Sequence, residues 1–155
     1  MAVVYVGLGS NLGNREELML RAVHEMRSFA RIRKISTFRQ TKPVGVTAQP
    51  DFLNGVVALE TDDSPEEVLA ELLRIEEDLG RVRTTQGAPR EIDLDLVAYG
   101  DEVIHRPGLE VPHPRMHERR FVLEPLAELN PDWVHPTLKK TVAELLSHLP
   151  PEEAV

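Results

Sequence analysis

Arg90-Glu91-Ile92-Asp93-Leu94-Asp95-Leu96 is the stretch that decides the fold, because it places two carboxylates inside what otherwise has the pattern of a buried strand. Successive side chains of a strand point to opposite faces. Asp93 and Asp95 therefore share one face with Val97, and the other face is apolar: Ile92, Leu94, Leu96, Ala98. Two carboxylates about 7 Å apart along a strand repel each other unless a cation lies between them. This arrangement suits a magnesium-bound phosphate.

The alternative is that the Asp-x-Asp pair lies on an exposed sheet edge, where charges often prevent unwanted strand pairing. The surrounding sequence favours the phosphate hypothesis, because basic side chains of the kind that hold phosphates flank the pair on both sides. They are Arg81, Arg83, Arg90, His113, Arg115, Arg119 and Arg120.

Composition predicts one globular domain over residues 1–155, with 41% hydrophobic and 28% charged residues. No run of 18 apolar residues and no signal peptide is present, so we expect a soluble cytoplasmic protein without membrane contact. The absence of cysteine excludes disulfides, a thiolate nucleophile and a Cys-ligated zinc site. The net charge of −8 argues against a nucleic-acid surface.

The order of elements predicts the fold class. An apolar strand over residues 2–8 precedes a helix that starts at an Asn14/Glu17 capping box, and a loosely patterned strand follows within 31–39. A loop over 41–51 leads to a strong strand at 52–60, a helix begins at Ser64, and the Asp-x-Asp strand comes next. We expect a short helix from His117, limited by Pro125, and a last helix over 141–149. This order predicts an α+β protein with a ferredoxin-like βαββαβ antiparallel sheet and additional C-terminal helices.

The glycine-rich segment at 7–13 invites comparison with a dinucleotide-binding turn, but its details differ. Its spacing is G-x-G-x-x-x-G, no acidic residue ends the next strand, and no Gly-Lys-Ser/Thr is present. We interpret the segment as a structural strand-to-helix turn.

Three further positions have both a structural and a functional interpretation. Phe52 and Asn54 share a strand face and could stack on and hydrogen-bond to a flat heterocycle. Taken alone, they are better explained by Phe52 packing in the core and Asn54 hydrogen-bonding to the backbone. Glu76 lies one helical turn before Arg81 and could orient an arginine, or simply belong to a solvated face. His113, in a proline-rich loop, could donate to a phosphate oxygen or be an ordinary surface residue.

Four segments, taken together and in order, resemble the 6-hydroxymethyl-7,8-dihydropterin pyrophosphokinases of folate biosynthesis. These segments are Gly9-Ser10-Asn11-Leu12-Gly13; Gln49-Pro50-Asp51-Phe52-Leu53-Asn54; Gly80-Arg81-Val82-Arg83 through Arg90-Glu91-Ile92-Asp93-Leu94-Asp95; and Val111-Pro112-His113-Pro114-Arg115 through Arg119-Arg120-Phe121-Val122-Leu123. The Arg-x-x-Asp-x-Asp strand together with the later Val-Pro-His-Pro-Arg is the specific part.

The resemblance implies transfer of the terminal diphosphate of ATP to the hydroxymethyl group of the pterin, with release of AMP. It implies that Asp93 and Asp95 bridge two Mg²⁺ ions, and that Phe52 and Phe121 sandwich the pterin. The triphosphate would be held by Arg81, Arg83, Arg90, His113 and Arg119, with Arg81 and Arg90 also catalytic and Glu76 on the ATP side. The pterin edge would be read by Asn54, Thr41 and the backbone at Pro43 and Val44.

This chain departs from the family pattern in the loop before Arg90. Members commonly carry an Arg-Trp pair there, whereas residues 84–89 are Thr-Thr-Gln-Gly-Ala-Pro. That loop is a candidate lid over ATP, so the difference bears on the rate. Phe52 and Pro114 also stand where tyrosines can occur.

Two rival hypotheses remain open from the residues. A magnesium-dependent phosphate-ester hydrolase could use the same Asp-x-Asp, and a ferredoxin-like binding module could keep the aromatics and arginines without catalysis. The partners expected are the small molecules ATP and the pterin, with no nucleic acid and no membrane. We expect a monomer, because no exposed apolar stripe in the sequence demands a partner.

Overall fold

A computed structural model describes residues 1–11, 14–41, 52–81 and 92–150, apart from the side chain of Arg81. Its elements in chain order are β1 (Ala2–Ser10), α1 (Arg15–Met26), β2 (Arg31–Ile35), β3 (Arg39–Thr41), β4 (Phe52–Thr61), α2 (Pro65–Arg81), β5 (Asp93–Tyr99), β6 (Ile104–Arg106), β7 (Leu109–Val111), a 3₁₀ turn (Met116–Glu118), α3 (Arg120–Leu129) and α4 (Val142–Ser147).

The main sheet has the strand order β2-β4-β1-β5, and every neighbouring pair is antiparallel. The short strand β3 pairs with β4 at the end where β4 begins. This arrangement is the ferredoxin-like βαββαβ sheet with one inserted strand, so the predicted α+β class is confirmed. β1 is a central strand, as its apolar sequence predicts.

Helices cover both faces of the sheet. Apolar side chains of α1 and α2 pack with Val6 and Leu59 on one face, and those of α3 and α4 pack with Tyr5 and Val56 on the other. Neighbouring residues of a strand thus serve two separate cores, as expected when both faces are buried. We call the second face, which also carries the carboxylates of β5, the α3 face.

The predicted alternation of side chains between the two faces of β5 is confirmed around Asp93 and Asp95 but is wrong at the C-terminal end of the strand. Leu94 and Leu96 belong to the core under α1 and α2, but Ala98 packs in the core of the α3 face together with Val97. The reason is a register shift in the β1–β5 pairing between Tyr5 and Val6. Such an irregularity inserts an extra residue and reverses the faces beyond it.

The helix starts follow the capping residues. The Asn14 side chain accepts from the N–H of Glu17 at 3.2 Å, and Ser64 and Glu67 form the reciprocal pair expected of a capping box. One predicted helix end is wrong. α3 continues past Pro125 to Leu129 because its buried face outweighs the backbone hydrogen bond that the proline cannot make.

A short hairpin, β6–β7, was not predicted from the sequence. Its strands have three residues each and lie within a proline-rich segment, so they are too short for the alternation of apolar and polar residues to be recognised. Gly108 turns the hairpin at a φ of 78°, a left-handed conformation that favours glycine. Within the described residues, no helix has the length and apolar character needed to cross a lipid bilayer.

Candidate active site

The candidate site lies on the α3 face, where the central strand β1 ends between two chemically different neighbours. Gly9 pairs with Asn54 of β4 on one side and with Asp93 of β5 on the other. Adjacent strands are about 4.8 Å apart, so the amide and the carboxylate positions are separated by about 10 Å. Gly9 has no side chain, so β1 itself puts no side chain between them at this position, and a Cβ there would be 3.0 Å from the Asn54 side-chain oxygen.

Asp93 and Asp95 form one side of the site. Asp93 is exposed and Asp95 is half-buried, so both carboxylates are placed where a ligand could reach them. Between them, the N–H of Leu94 donates to the Glu76 carboxylate of α2 at 2.7 Å. Glu76 is only 7% exposed, and this hydrogen bond fixes the backbone that carries the two aspartates.

The sequence placed Glu76 on the ATP side, as a group that could orient an arginine. The structure adds a role that the sequence did not indicate, namely support of β5 through Leu94. This hydrogen bond joins residues 18 positions apart in the sequence. It uses the backbone N–H of Leu94, on the side of β5 that does not pair with β1, so no local sequence pattern predicts it.

Asn54, Thr41 and Phe52 form the opposite side of the site. The Asn54 side-chain amide donates to the Thr41 hydroxyl, and Thr41 is paired with Phe52 in the β3–β4 ladder. Asn54 is 8% exposed, so its amide is held in one orientation by this bond. The amide also has an oxygen acceptor and a second hydrogen, with which it could bind the edge of a heterocycle.

His113 is fixed beside β5 by two hydrogen bonds. Its backbone N–H donates to the Val97 carbonyl at 2.8 Å, and its Nδ1 accepts from the backbone N–H of Arg115 at 3.2 Å. Because Nδ1 is an acceptor, the neutral ring carries its hydrogen on Nε2, which is the atom able to donate to a phosphate. Burial lowers the pKa of His113, although the nearby Asp95 carboxylate opposes this shift.

Arg119 and Phe121 lie at the start of α3. The Arg119 guanidinium carbon is 5.5 Å from the centre of the Phe121 ring, a cation–π distance. Phe121 is half-buried and packs at the margin of the core on the α3 face. The predicted neighbourhood of cation and aromatic is therefore present in the structure.

The donors present fit magnesium better than a metal that needs a protein cage. Among the described residues, no group of three or more His, Cys, Asp or Glu could hold a metal ion. Mg²⁺ is commonly bound by one or two carboxylates, with waters and substrate phosphates completing its octahedron. Asp93 and Asp95 could supply such a pair of oxygen ligands.

Several predicted site residues lie outside the described part of the chain. They are Pro43, Val44, Arg83, Arg90, the side chain of Arg81, and the loop over 84–89. Gly9 was not assigned a function from the sequence. Its place in a Gly-x-Gly pattern on a strand next to polar neighbours was the available signal.

The model of the family described as 7,8-dihydro-6-hydroxymethylpterin-pyrophosphokinase (HPPK) matches residues 5–131. A relative from Aquifex aeolicus named 2-amino-4-hydroxy-6-hydroxymethyldihydropteridine pyrophosphokinase is 41% identical over 144 residues, covering 93% of this chain and 90% of the relative. A protein of the same name from Haemophilus influenzae is 40% identical over 149 residues, covering 94% and 92%.

Longer proteins contain a similar region. The folic acid synthesis protein fol1 of Pneumocystis carinii is 43% identical over 141 residues, which cover 90% of this chain and 19% of that protein. A solved structure of HPPK-DHPS from Plasmodium falciparum matches with a TM-score of 0.76 at 15% identity, covering 94% of this chain and 43% of the other. The chain thus spans less than half of that structure, and the match supports the fold.

A ferredoxin-like sheet with paired carboxylates, a fixed histidine and an arginine on one face is a scaffold suited to magnesium-bound phosphates. The chain belongs to the 7,8-dihydro-6-hydroxymethylpterin-pyrophosphokinase family. The resemblance based on its four motifs is confirmed.

Proposed function

We infer that this protein is a diphosphotransferase of folate biosynthesis, which transfers the pyrophosphoryl group of ATP to 6-hydroxymethyl-7,8-dihydropterin. The oxygen of the hydroxymethyl group attacks the β-phosphorus and loses its proton. The bond between that phosphorus and the oxygen bridging to the α-phosphate breaks, and AMP leaves. Because ATP is the co-substrate, we expect the enzyme to work in the cytoplasm.

One observation carries the assignment of the two substrates to this face. Asn54 and Asp93 flank Gly9 on opposite sides, about 10 Å apart across β1. The pterin edge that an amide can read lies at the opposite end of the ring system from the hydroxymethyl group. A pterin whose edge meets Asn54 therefore directs its hydroxyl toward the carboxylates of β5.

Phe52 and Phe121 are proposed to stack on the two faces of the pterin, with Asn54 and Thr41 binding its edge. The hydrogen bond between Asn54 and Thr41 fixes the amide before the ligand arrives, which lowers the entropy lost on binding. The backbone at Pro43 and Val44, outside the described residues, is proposed to complete the recognition of the edge.

The phosphate side combines carboxylates with cations. Asp93 and Asp95 would hold two Mg²⁺ ions, whose chemistry when bound is to neutralise charge on phosphate oxygens. His113 would donate from Nε2 and Arg119 from its guanidinium to the triphosphate. Arg81, Arg83 and Arg90 are proposed to bind the same polyanion, with Arg81 and Arg90 acting on the transferred group, and Glu76 supports the ATP side.

The test is to incubate the protein with ATP, magnesium and the pterin, and to follow AMP and free phosphate by chromatography. We expect AMP that depends on the pterin, together with a pterin diphosphate. Free phosphate without AMP would instead favour a phosphate-ester hydrolase, and ligand binding without turnover would favour a binding module.

The role of the carboxylates is tested by Asp95→Asn, which keeps the shape of the side chain and removes its charge. Loss of a metal ligand should reduce kcat about a hundredfold or more, because each metal contributes several kcal/mol to the transition state. Asp101→Asn is the matched control, since Asp101 is an exposed residue in the turn after β5. Near-parental turnover in Asp95→Asn with magnesium would contradict the proposed metal site.

A further inference from the structure

Helix α3 carries one stripe of side chains that lies beside its fully buried core positions. Phe121, Glu124 and Glu128 are spaced by three and four residues, so they lie on the same side of the helix. The first belongs to the proposed pterin site, and the other two lie progressively farther from it along the helix. The partners of the two glutamates show what this stripe faces.

Glu128 binds one residue of the segment between β2 and β3 through both of its oxygens. Its Oε2 accepts the backbone N–H of Thr37 at 2.9 Å, and its Oε1 accepts the Thr37 hydroxyl at 2.8 Å. Burial opposes the charged form, but these hydrogen bonds and the charge of Arg39 hold the pKa of Glu128 below its usual value. The carboxylate is therefore ionised at neutral pH, and each of its oxygens accepts a hydrogen bond from Thr37.

Arg39 makes the next connection along the same two elements. Its guanidinium lies 3.9 Å from Glu124 and 3.5 Å from Glu128. The helix and the 37–41 segment therefore run antiparallel, with the pair Glu128/Thr37 followed by the pair Glu124/Arg39. Continued in the same direction, the helix reaches Phe121 about 10 Å from Glu128, and the extended segment reaches Thr41 about 13 Å from Thr37.

The 36–38 part of this segment is itself fixed on β4. The N–H of Ser36 donates to the Val56 carbonyl and its hydroxyl accepts from the Val56 N–H, both at 2.9 Å. The Phe38 ring packs over Gly55 so closely that a Cβ there would be 2.6 Å from a ring carbon. Because its neighbours Ser36 and Phe38 are fixed on β4, Thr37 connects Glu128 to the strand that holds Phe52 and Asn54.

We propose that Glu128, acting through Thr37, is a positioning residue that sets the gap between Phe121 on α3 and the Phe52–Asn54 edge of β4. This inference rests on the proposed function, because it assumes that the gap receives the flat pterin ring. A bidentate contact at one end of the helix restricts tilting of its other end. A stacked ligand is sensitive to this gap, since dispersion contacts weaken steeply when the separation grows by a fraction of an ångström.

Glu128→Gln and Thr37→Val test the proposal. The glutamine has an NH2 donor in place of one of the two oxygens that accept from Thr37, and the valine keeps the shape of the threonine but lacks its hydroxyl. We expect the Kd for the pterin to rise about five- to tenfold in each, since one or two charge-assisted hydrogen bonds are lost. The titrations contain magnesium and a non-hydrolysable ATP analogue, whose own Kd should remain within about twofold of the parental value.

Two further variants separate positioning from general stability. Thr37→Ser keeps both the backbone N–H and the hydroxyl donor, so its Kd for the pterin should equal the parental value. Glu60→Gln is the matched control, because Glu60 is another paired carboxylate, at the end of β4 remote from Phe52 and Asn54, and contacts Arg33 at 3.2 Å and Arg31 at 3.9 Å. Thermal unfolding of every variant shows whether affinity follows stability. A Kd for the pterin that rises equally in Glu60→Gln would overturn the positioning role.

Phe121→Ala distinguishes failure of this inference from failure of the proposed function. If Phe121→Ala leaves the Kd for the pterin unchanged, the pterin site itself is misplaced and the inference falls with it. If Phe121→Ala weakens pterin binding while Glu128→Gln and Thr37→Val do not, only the inference is overturned. The double variant Glu128→Gln/Phe121→Ala should bind the pterin as weakly as Phe121→Ala alone, and additive losses would show that Glu128 does not act through this ring.

Discussion

Gly9 is the single residue at which the smallest change should disturb the proposed pterin site. A Cβ at this position would be 3.0 Å from the Asn54 side-chain oxygen, closer than almost all real contacts of that kind. Gly9→Ala should therefore displace the amide that reads the pterin edge. We expect KM for the pterin to rise about tenfold, the equivalent of one good hydrogen bond, with a smaller change in KM for ATP. Steady-state kinetics with each substrate varied in turn will measure both.

Gly7→Ala is the control for this substitution, because Gly7 lies on the same strand and the same face. Its Cβ would be 3.4 Å from Val97 and 3.9 Å from Asp95, which are tolerable contacts. Kinetic constants close to the parental ones are expected. If both alanines have the same effect, the displacement of Asn54 is not the cause.

At the residue scale, the sequence predicts those contacts that follow from strand alternation. Asp93 with Asp95, and Phe52 with Asn54, share faces because the side-chain period of a strand is two. The two hydrogen bonds between Glu128 and Thr37 could not be predicted in this way, because they join residues 91 positions apart. Only the packing of α3 on β4 brings those two residues together.

Among the elements, α2 depends on a cap that can be removed without touching the site. Ser64 accepts the N–H of Glu67 at 3.1 Å, and the Glu67 carboxylate accepts the N–H of Ser64 at 2.8 Å. Ser64→Ala should lower the free energy of unfolding by about 1 kcal/mol, the usual value for a lost N-cap. Urea denaturation measures this change, and KM for both substrates should stay at the parental values because Glu76 lies three turns away.

Ser64→Asp is the matched variant, since aspartate is an equally good N-cap. It should retain most of the parental stability. If the alanine and aspartate variants lose the same stability, something other than capping is responsible.

The boundaries of elements show where local sequence rules stop being sufficient. Helix starts were predicted correctly at Asn14 and Ser64, because a capping side chain acts within three residues. The helix end at Pro125 was predicted incorrectly, because burial of a helix face can outweigh a local breaker. The reversal of faces at Ala98 arises from pairing with β1 and has no local signature.

For the molecule as a whole, the order of predicted helices and strands along the sequence was sufficient to predict the ferredoxin-like sheet and the α+β class. The monomeric state and the single domain stay predictions. The oligomeric state depends on surfaces whose apolar residues are scattered, such as Leu20, Leu73 and Val103. Isolated exposed residues of this kind neither require nor exclude a partner.

Two histidines connect the stability of the whole fold to pH. His135 is 6% exposed, and its Nδ1 accepts from the backbone N–H groups of Thr137 at 3.2 Å and Leu138 at 3.1 Å. Burial, with a smaller contribution from His117, lowers the pKa of His135. Burial also lowers the pKa of His113, whose Nδ1 accepts from Arg115. Protonating either Nδ1 would break these hydrogen bonds.

The sign of the resulting pH dependence follows from linkage. In the unfolded chain both imidazoles have the ordinary pKa of about 6.5, so below that pH the unfolded state binds protons that the native state does not. The free energy of unfolding should therefore be constant with respect to these groups above about pH 7.5 and fall as the pH drops below about 6.5. Each histidine contributes a slope of at most about 1.4 kcal/mol per pH unit, until its lowered native pKa is reached.

His135→Asn isolates one of these contributions, because the asparagine oxygen can take the place of Nδ1 as acceptor and does not titrate. Urea unfolding between about pH 5.5 and 7.5 should show a smaller slope in this variant, by up to about 1.4 kcal/mol per pH unit. His105→Asn, at an exposed position of β6, controls for the removal of an imidazole as such. An unchanged slope in His135→Asn would mean that native His135 accepts its proton as readily as the unfolded chain does, which its two backbone donors should prevent.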